Sequence, residues 1–223
     1  IDSGSDFVTL EDIIPDGHMG FVGTLRVNVR YQLAQSNLKI DITATSDAAS
    51  LCNFTNHSYF NLDGRPQIDL HRLQVLSKRY LPVDETGIPS QAPTPVAGSK
   101  YDFWNFSALC ENGTFAKIDH NYCLNDRRRP ITTVARLSTD ALDMEMASTE
   151  PGVHIYTGSG LSDFSAKGHA GYPYRAFAGI ALEAQTWPDA PNRPEYPSPW
   201  LLPGDVYHHA TVYHFARRQA RSS

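Results

Sequence analysis

Charge is scarce in this sequence. Of 223 residues only 19% are Asp, Glu, Lys or Arg, and 24 acidic against 19 basic side chains leave a formal net charge of −5. A phosphate backbone needs a basic footprint that this balance does not supply, so nucleic acid is not an expected partner. The one short basic run, Arg127 to Arg129, reads as a solvated turn. Long apolar runs are missing too. Nothing approaches the ~18 consecutive apolar residues of a spanning helix, so no membrane partner is expected. Cysteine is sparse: Cys52, Cys110 and Cys123 are odd in number and widely spaced. They build neither a disulfide scaffold nor a zinc site, and one bridge plus one free thiol is the most they allow. His208, His209 and His214 have no carboxylate or cysteine at ligand spacing, so no metal is expected. Gly158 and Gly160 are not followed by a phosphate-loop pattern. Ser159 lacks the G-x-S-x-G elbow, so serine hydrolysis is not expected either. The segment at Ile1 has no signal-peptide pattern.

Strand periodicity is present instead. Leu25, Val27, Val29, Tyr31 and Leu33 alternate with Arg26, Asn28, Arg30 and Gln32. After a turn at 34–37, Leu38, Ile40, Ile42 and Ala44 alternate with Lys39, Asp41, Thr43 and Thr45. This pair predicts an antiparallel hairpin with one buried face. Further strands are predicted at 50–54, 132–137, 142–148, 153–156, 177–185 and 208–215, with short strands within 65–83. Residues 84–114, rich in Pro, Gly and Ser, predict a long irregular excursion. No stretch of ten residues carries a helical apolar stripe, and 15 prolines and 15 glycines punctuate the chain. The expected fold is all-β, a large antiparallel β-sandwich formed by 1–223 as one domain.

Polar groups stand among these strands where a plain core would not put them. Glu183 lies mid-strand in FAGIALEAQ. It is either on the solvent face or buried, and a buried glutamate acquires a raised pKa that suits a general base. His57, beside Tyr59 and Phe60, is either a loop histidine bonded to backbone or a proton carrier. Asp119 either caps a turn or accepts hydrogen bonds from a ligand's hydroxyls. A sugar site also needs aromatic faces for C–H surface, and Tyr59, Phe60, Tyr122, Tyr156 and Trp187 are candidates. Asn53, Asn56, Asn105 and Asn112 head N-x-S/T sequons, a hint of secretion that leaves the compartment open between secreted and cytoplasmic.

Taken together, several stretches are similar to one family. NFTNHSYFNLDG at 53–64, IDHNYCL at 118–124, MEMASTEPGVHIYTG at 144–158, GIALEAQTWPDAPNRPEYPS at 179–198 and LLPGDVYHHATVYHF at 201–215 resemble the aldose 1-epimerase (galactose mutarotase) family, in order and at matching spacing. The resemblance implies interconversion of the α and β anomers of a free hexose such as galactose or glucose, without cofactor or metal. It makes Glu183 the base that takes the anomeric proton and His57 the acid that protonates the ring oxygen. Asp119, Tyr59 and Gln185 become substrate-binding residues of a monosaccharide site. Glu183 and His57 are expected to face each other across a gap the width of a pyranose. The family's N-terminal third, with a substrate-binding arginine and a second histidine, finds no counterpart here. A separate N-terminal chain that completes the fold, residues lost, and a natural short form are the competing expectations. A hexose 6-phosphate epimerase, using Arg127 to Arg129 and Arg175 for phosphate, and a non-catalytic sugar-binding protein are the alternative functions.

Overall fold

The computed structural model describes residues 1–161, 167–168 and 171–218. Two antiparallel sheets dominate. One has nine strands, in the order Asp2–Ser3, Phe7–Ile14, Leu25–Ala34, Asn37–Ser46, Tyr207–Arg217, Leu142–Ser148, Thr132–Ser138, Arg72–Val75 and Ser107–Ala108. The other has six, in the order Tyr59–Phe60, Ile180–Gln185, Gly152–Tyr156, Asp119–Cys123, Arg79–Tyr80 and Thr94–Pro95. They form a β-sandwich, as the alternation predicted. The only helices among the described residues are two single 3-10 turns, His18–Gly20 and Ala190–Asn192.

The hairpin over 25–46 forms in the expected register, with Leu25 opposite Ser46 and Ala34 opposite Asn37. Its apolar set, Leu25, Val27, Ile40, Ile42 and Ala44, is buried in the core between the sheets. From the six-stranded sheet Ile180, Leu182, Ala184, Val153 and Ile155 enter the same core. The sheets are tied at Tyr213, whose hydroxyl donates to the Leu182 carbonyl at 3.2 Å and whose ring lies 4.9 Å from Phe60. Strand side chains alternate faces. Committing Ile180, Leu182 and Ala184 to the core therefore turns Ala181, Glu183 and Gln185 to the opposite face of the sheet. This alternation is what positions the site.

Three strand expectations need correction. The strand Phe7–Ile14 was not predicted; in FVTLEDII the exposed Leu10 and Ile13 are three apart and so fall on opposite faces, which leaves no clean alternation, yet the segment pairs with Leu25–Gln32. The strand predicted at 177–185 starts at Ile180, since Phe177 takes a left-handed conformation (φ 63°) that strand geometry excludes. The strand at 50–54 shrinks to Ser50–Leu51. All three cysteines are free, in line with the reading that they build no disulfide scaffold. The excursion over 84–114 contains only two-residue strands, one of them in a hairpin turned by Asn112 and Gly113, both at positive φ as an Asn-Gly turn requires. No helix among the described residues is long and apolar enough to cross a membrane.

Candidate active site

Register across the six-stranded sheet assembles polar side chains in rows. Ala181 lies opposite Tyr59 on one side and Tyr156 on the other, and Tyr156 lies opposite Asp119. Two residues along, Glu183 lies opposite His154, and His154 opposite Asn121. Two further along, Gln185 lies opposite Gly152. Because all these positions share parity, they share the face turned away from the core. Five sequence-nominated residues, Glu183, His57, Asp119, Tyr59 and Gln185, are thus brought to one patch.

Glu183 is 7% exposed, although it is on the outer face. His57 and Tyr59 lie over it: His57 Nε2 is 3.6 Å from Glu183 Oε1, and the two aromatic rings stack at 5.1 Å. Tyr156 meets Tyr59 edge-on at 6.1 Å and accepts a hydrogen bond from the Gly160 N–H at 2.8 Å. Glu183 thus has the parity of the outer face but is covered there rather than solvated. Burial pushes its carboxyl above the usual range; His57 and His154 pull it back, and Asp119 pushes it up again. Among the described residues no protein donor is hydrogen-bonded to this carboxylate. At 3.6 Å the contact with His57 is an ion-pair distance rather than a hydrogen bond, so neither group has committed its proton or lone pair to the other.

The expected pyranose-wide gap between base and acid is not there. The two groups stand side by side. The physical reason is that the segment carrying His57 folds over the strand that carries Glu183, which leaves the two side chains 3.6 Å apart.

Asp119 opens its strand with a side chain that is 67% exposed, and its carboxylate takes a 2.8 Å hydrogen bond from His154 Nε2. That bond, first among the causes, holds its carboxyl below the usual range against the opposing effect of desolvation. It caps no turn. His154 was not nominated from the sequence. Its signal was there, since His154 and Tyr156 share parity in a strand otherwise built of Gly, Val and Ile. What the local pattern could not show is the register that sets it beside Glu183 and Asp119. Trp187 and Tyr122, considered as sugar platforms, are instead buried. The Trp187 indole N–H donates to the Pro151 carbonyl at 2.9 Å, and Tyr122 donates to the Tyr101 carbonyl at 3.1 Å.

A polar cluster, buried at Glu150, Thr186, Tyr207 and His209 but exposed at Asn53, anchors the segment that carries His57. Asn53 holds the Thr186 backbone from both sides, donating Nδ2 to its carbonyl (3.2 Å) and accepting its N–H on Oδ1 (2.9 Å). The loop that carries His57 is thereby tied to the end of the strand that carries Glu183. His209 Nδ1 and the Tyr207 hydroxyl both meet the Phe54 carbonyl, at 3.1 and 3.3 Å. Beneath them Arg128 makes a two-pronged bond to the fully buried Glu150, at 2.6 and 3.1 Å, and reaches Thr186 Oγ1 at 3.3 Å. Its guanidinium lies 4.4 Å from the Tyr207 ring centroid. The solvated-turn expectation fails at Arg128: a buried carboxylate requires a cation, and Arg128 is the one that meets it.

Comparison with known proteins bears on the family and the fold. The family profile described as Aldose 1-epimerase matches residues 1–214. The chain is 37% identical to galactose mutarotase of Mus musculus over 213 residues, 92% of this chain and 61% of that protein. It is 37% identical to the Homo sapiens galactose mutarotase over 95% of this chain and 64% of that protein. Aldose 1-epimerase of Escherichia coli (strain K12) is 36% identical over 90% and 61%. The chain thus spans somewhat less than two thirds of the length of the curated relatives it matches. Among solved structures, an aldose epimerase homologue from C. elegans superposes with a TM-score of 0.89 at 26% identity, covering 98% of this chain and 68% of that one. A galactose 1-epimerase from Lactobacillus acidophilus gives 0.79, also at 26% identity, over 98% and 65%.

Proposed function

Because the chain belongs to the aldose 1-epimerase family, we propose that its site interconverts the α and β anomers of a free hexose, galactose or glucose, by acid–base ring opening and closure. The carrying observation is the juxtaposition of Glu183 and His57, 3.6 Å apart and not hydrogen-bonded to each other. In the proposed cycle the Glu183 carboxylate takes the proton of the anomeric hydroxyl. The O–H electron pair becomes the C1=O1 π bond, and the C1–O5 pair leaves to the ring oxygen, which receives its proton from His57. Rotation about C1–C2 turns the other carbonyl face to the returning hydroxyl. Closure runs the transfers backwards, so both groups recover their starting states and the reaction consumes nothing.

A base must start unprotonated and an acid protonated, and their environments are suited to that division. Glu183 is desolvated and has no hydrogen-bond donor among the described residues, which strengthens it as a base. His57 is half exposed and borders a carboxylate. In this reading Asp119 accepts hydrogen bonds from sugar hydroxyls, Tyr59 offers its ring to the sugar's C–H face, and Gln185 reaches the far hydroxyls. A hexose 6-phosphate is less favoured, because Arg128, the centre of the basic run, is already neutralised by Glu150.

Polarimetry tests the proposal. Freshly dissolved α-D-galactose or α-D-glucose should approach equilibrium rotation faster with the chain than in buffer, in a saturable manner, and Glu183→Gln should abolish the acceleration. Drift at the buffer rate would overturn it; sugar binding at that same drift would identify a non-catalytic sugar-binding protein.

A further inference from the structure

Asp119 is a weakly constrained side chain by every measure except one. It lies at the first position of its strand, is 67% exposed, and its only hydrogen-bond partner among the described residues is His154. His154 is the opposite case. It sits mid-strand between Glu183 and Asn121, its side chain is 19% exposed, and its Nδ1 is buried with no partner. With Nε2 2.8 Å from a carboxylate oxygen, Nε2 carries the hydrogen and donates it. Nδ1 is then a buried lone pair, which is cheaper to leave unpaired than a buried N–H⁺ would be. The ring therefore has one productive contact, on Asp119, and no accessible atom left for a ligand on its other nitrogen.

From this geometry we infer that His154 is a positioning residue: it pins one carboxylate oxygen of Asp119 so that the other is held ready for a sugar hydroxyl. The inference rests on the proposed sugar-binding role of Asp119. Without the pin, an exposed carboxylate must give up its rotamer freedom when the sugar arrives, and affinity falls by roughly three- to tenfold. The other titratable groups facing the pair are Glu183 on the neighbouring strand, His57 above it, His120 beside Asp119, and Tyr59 and Tyr156 in the same row.

The test is a double-mutant cycle on the full chain, read as KM and kcat of anomer exchange and as the hexose Kd. His154→Ala should raise KM and Kd by roughly three- to tenfold and leave kcat within about twofold. Asp119→Ala should raise them further, and the double variant should match Asp119→Ala alone. His154→Gln, which can still present an N–H at the same reach, should restore the wild-type value, and His154→Asn, which cannot reach, should not. This pair carries the contrast if the alanine variant does not fold. Carbon-13 NMR should also show the Asp119 carboxyl titrating at higher pH in His154→Ala than in the wild type. Multiplying effects in the cycle, a loss confined to kcat, or an unmoved Asp119 titration would overturn the inference. Asp119→Ala without effect on KM or Kd would instead remove the proposed role of Asp119, and with it the premise. A wild-type chain that binds hexose without exchanging anomers removes only the epimerase reading, since the cycle is then read on Kd.

Discussion

Replacing Arg128 with methionine keeps most of the apolar stem that lies on Tyr207 and removes the charge that faces Glu150. Glu150 has no exposed surface, so its carboxylate cannot turn to water once its partner is gone. Breaking a buried pair from one side costs about 3–5 kcal/mol. In a chain of this size each kcal/mol moves the melting temperature by about 2–4 °C, so a drop of roughly 6–20 °C is expected. The reverse change, Glu150→Gln, should cost less, because the Arg128 side chain is 32% exposed and can reach solvent. The sign with pH follows. An unpaired buried carboxylate takes up a proton in order to stay folded, so the variant binds protons more tightly folded than unfolded. Its deficit is largest at neutral pH and shrinks as pH falls toward the ordinary glutamate pKa of about 4.3. Urea unfolding at pH 5 and pH 7 measures both effects. A deficit under about 1 kcal/mol, or one that grows on acidification, would refute the assignment of Arg128 as the essential counter-ion.

Three further outcomes follow from the same contacts. Gly152→Ala would place a methyl 2.8 Å from Asn121 Oδ1 and 2.9 Å from Trp187 Cδ1, so it should cost about 1–3 kcal/mol in urea unfolding; an unchanged midpoint would show that this corner can yield. Asn53→Ala removes both bonds between the His57 loop and the Thr186 backbone; stability should fall by about 1–3 kcal/mol, and kcat by up to about a hundredfold, with the pH profile keeping its shape. Because burial raises the Glu183 carboxyl in the folded state, its contribution to stability is present at low pH and is lost as pH rises through that raised value. Glu183→Gln should therefore gain stability over the wild type as pH is raised from 5 to 7, and a gap independent of pH would contradict the burial argument.

The sequence made the hairpin over 25–46 and the strand at 142–148 legible, because each has one face in the core and writes that face as alternation. Phe7–Ile14 was illegible for the opposite reason: Leu10 and Ile13 are both exposed although they fall on opposite faces, so neither face of the strand is written as apolar. Within the site, Glu183, His57 and Asp119 stood out as polar groups in apolar or aromatic company. Their closeness did not, since it arises from the register of strands, and the course of a loop, that are far apart in the chain. His154 and the Arg128–Glu150 pair went unread on the same ground. Each has a role only through a partner on another strand or loop, and the local pattern around Arg128 is indistinguishable from an ordinary basic turn.

Magnetisation-exchange NMR on an equilibrium mixture of hexose anomers reads the α-to-β rate directly, free of dissolution and mixing. The wild-type chain should raise that rate above buffer. Glu183→Gln and His57→Gln should each lower the catalysed part by about 10²–10⁴, and the double variant should fall little below the worse single one, because both groups serve one proton-transfer step. Catalysis that persists at the wild-type rate in either single variant would contradict the pairing of base and acid at 183 and 57.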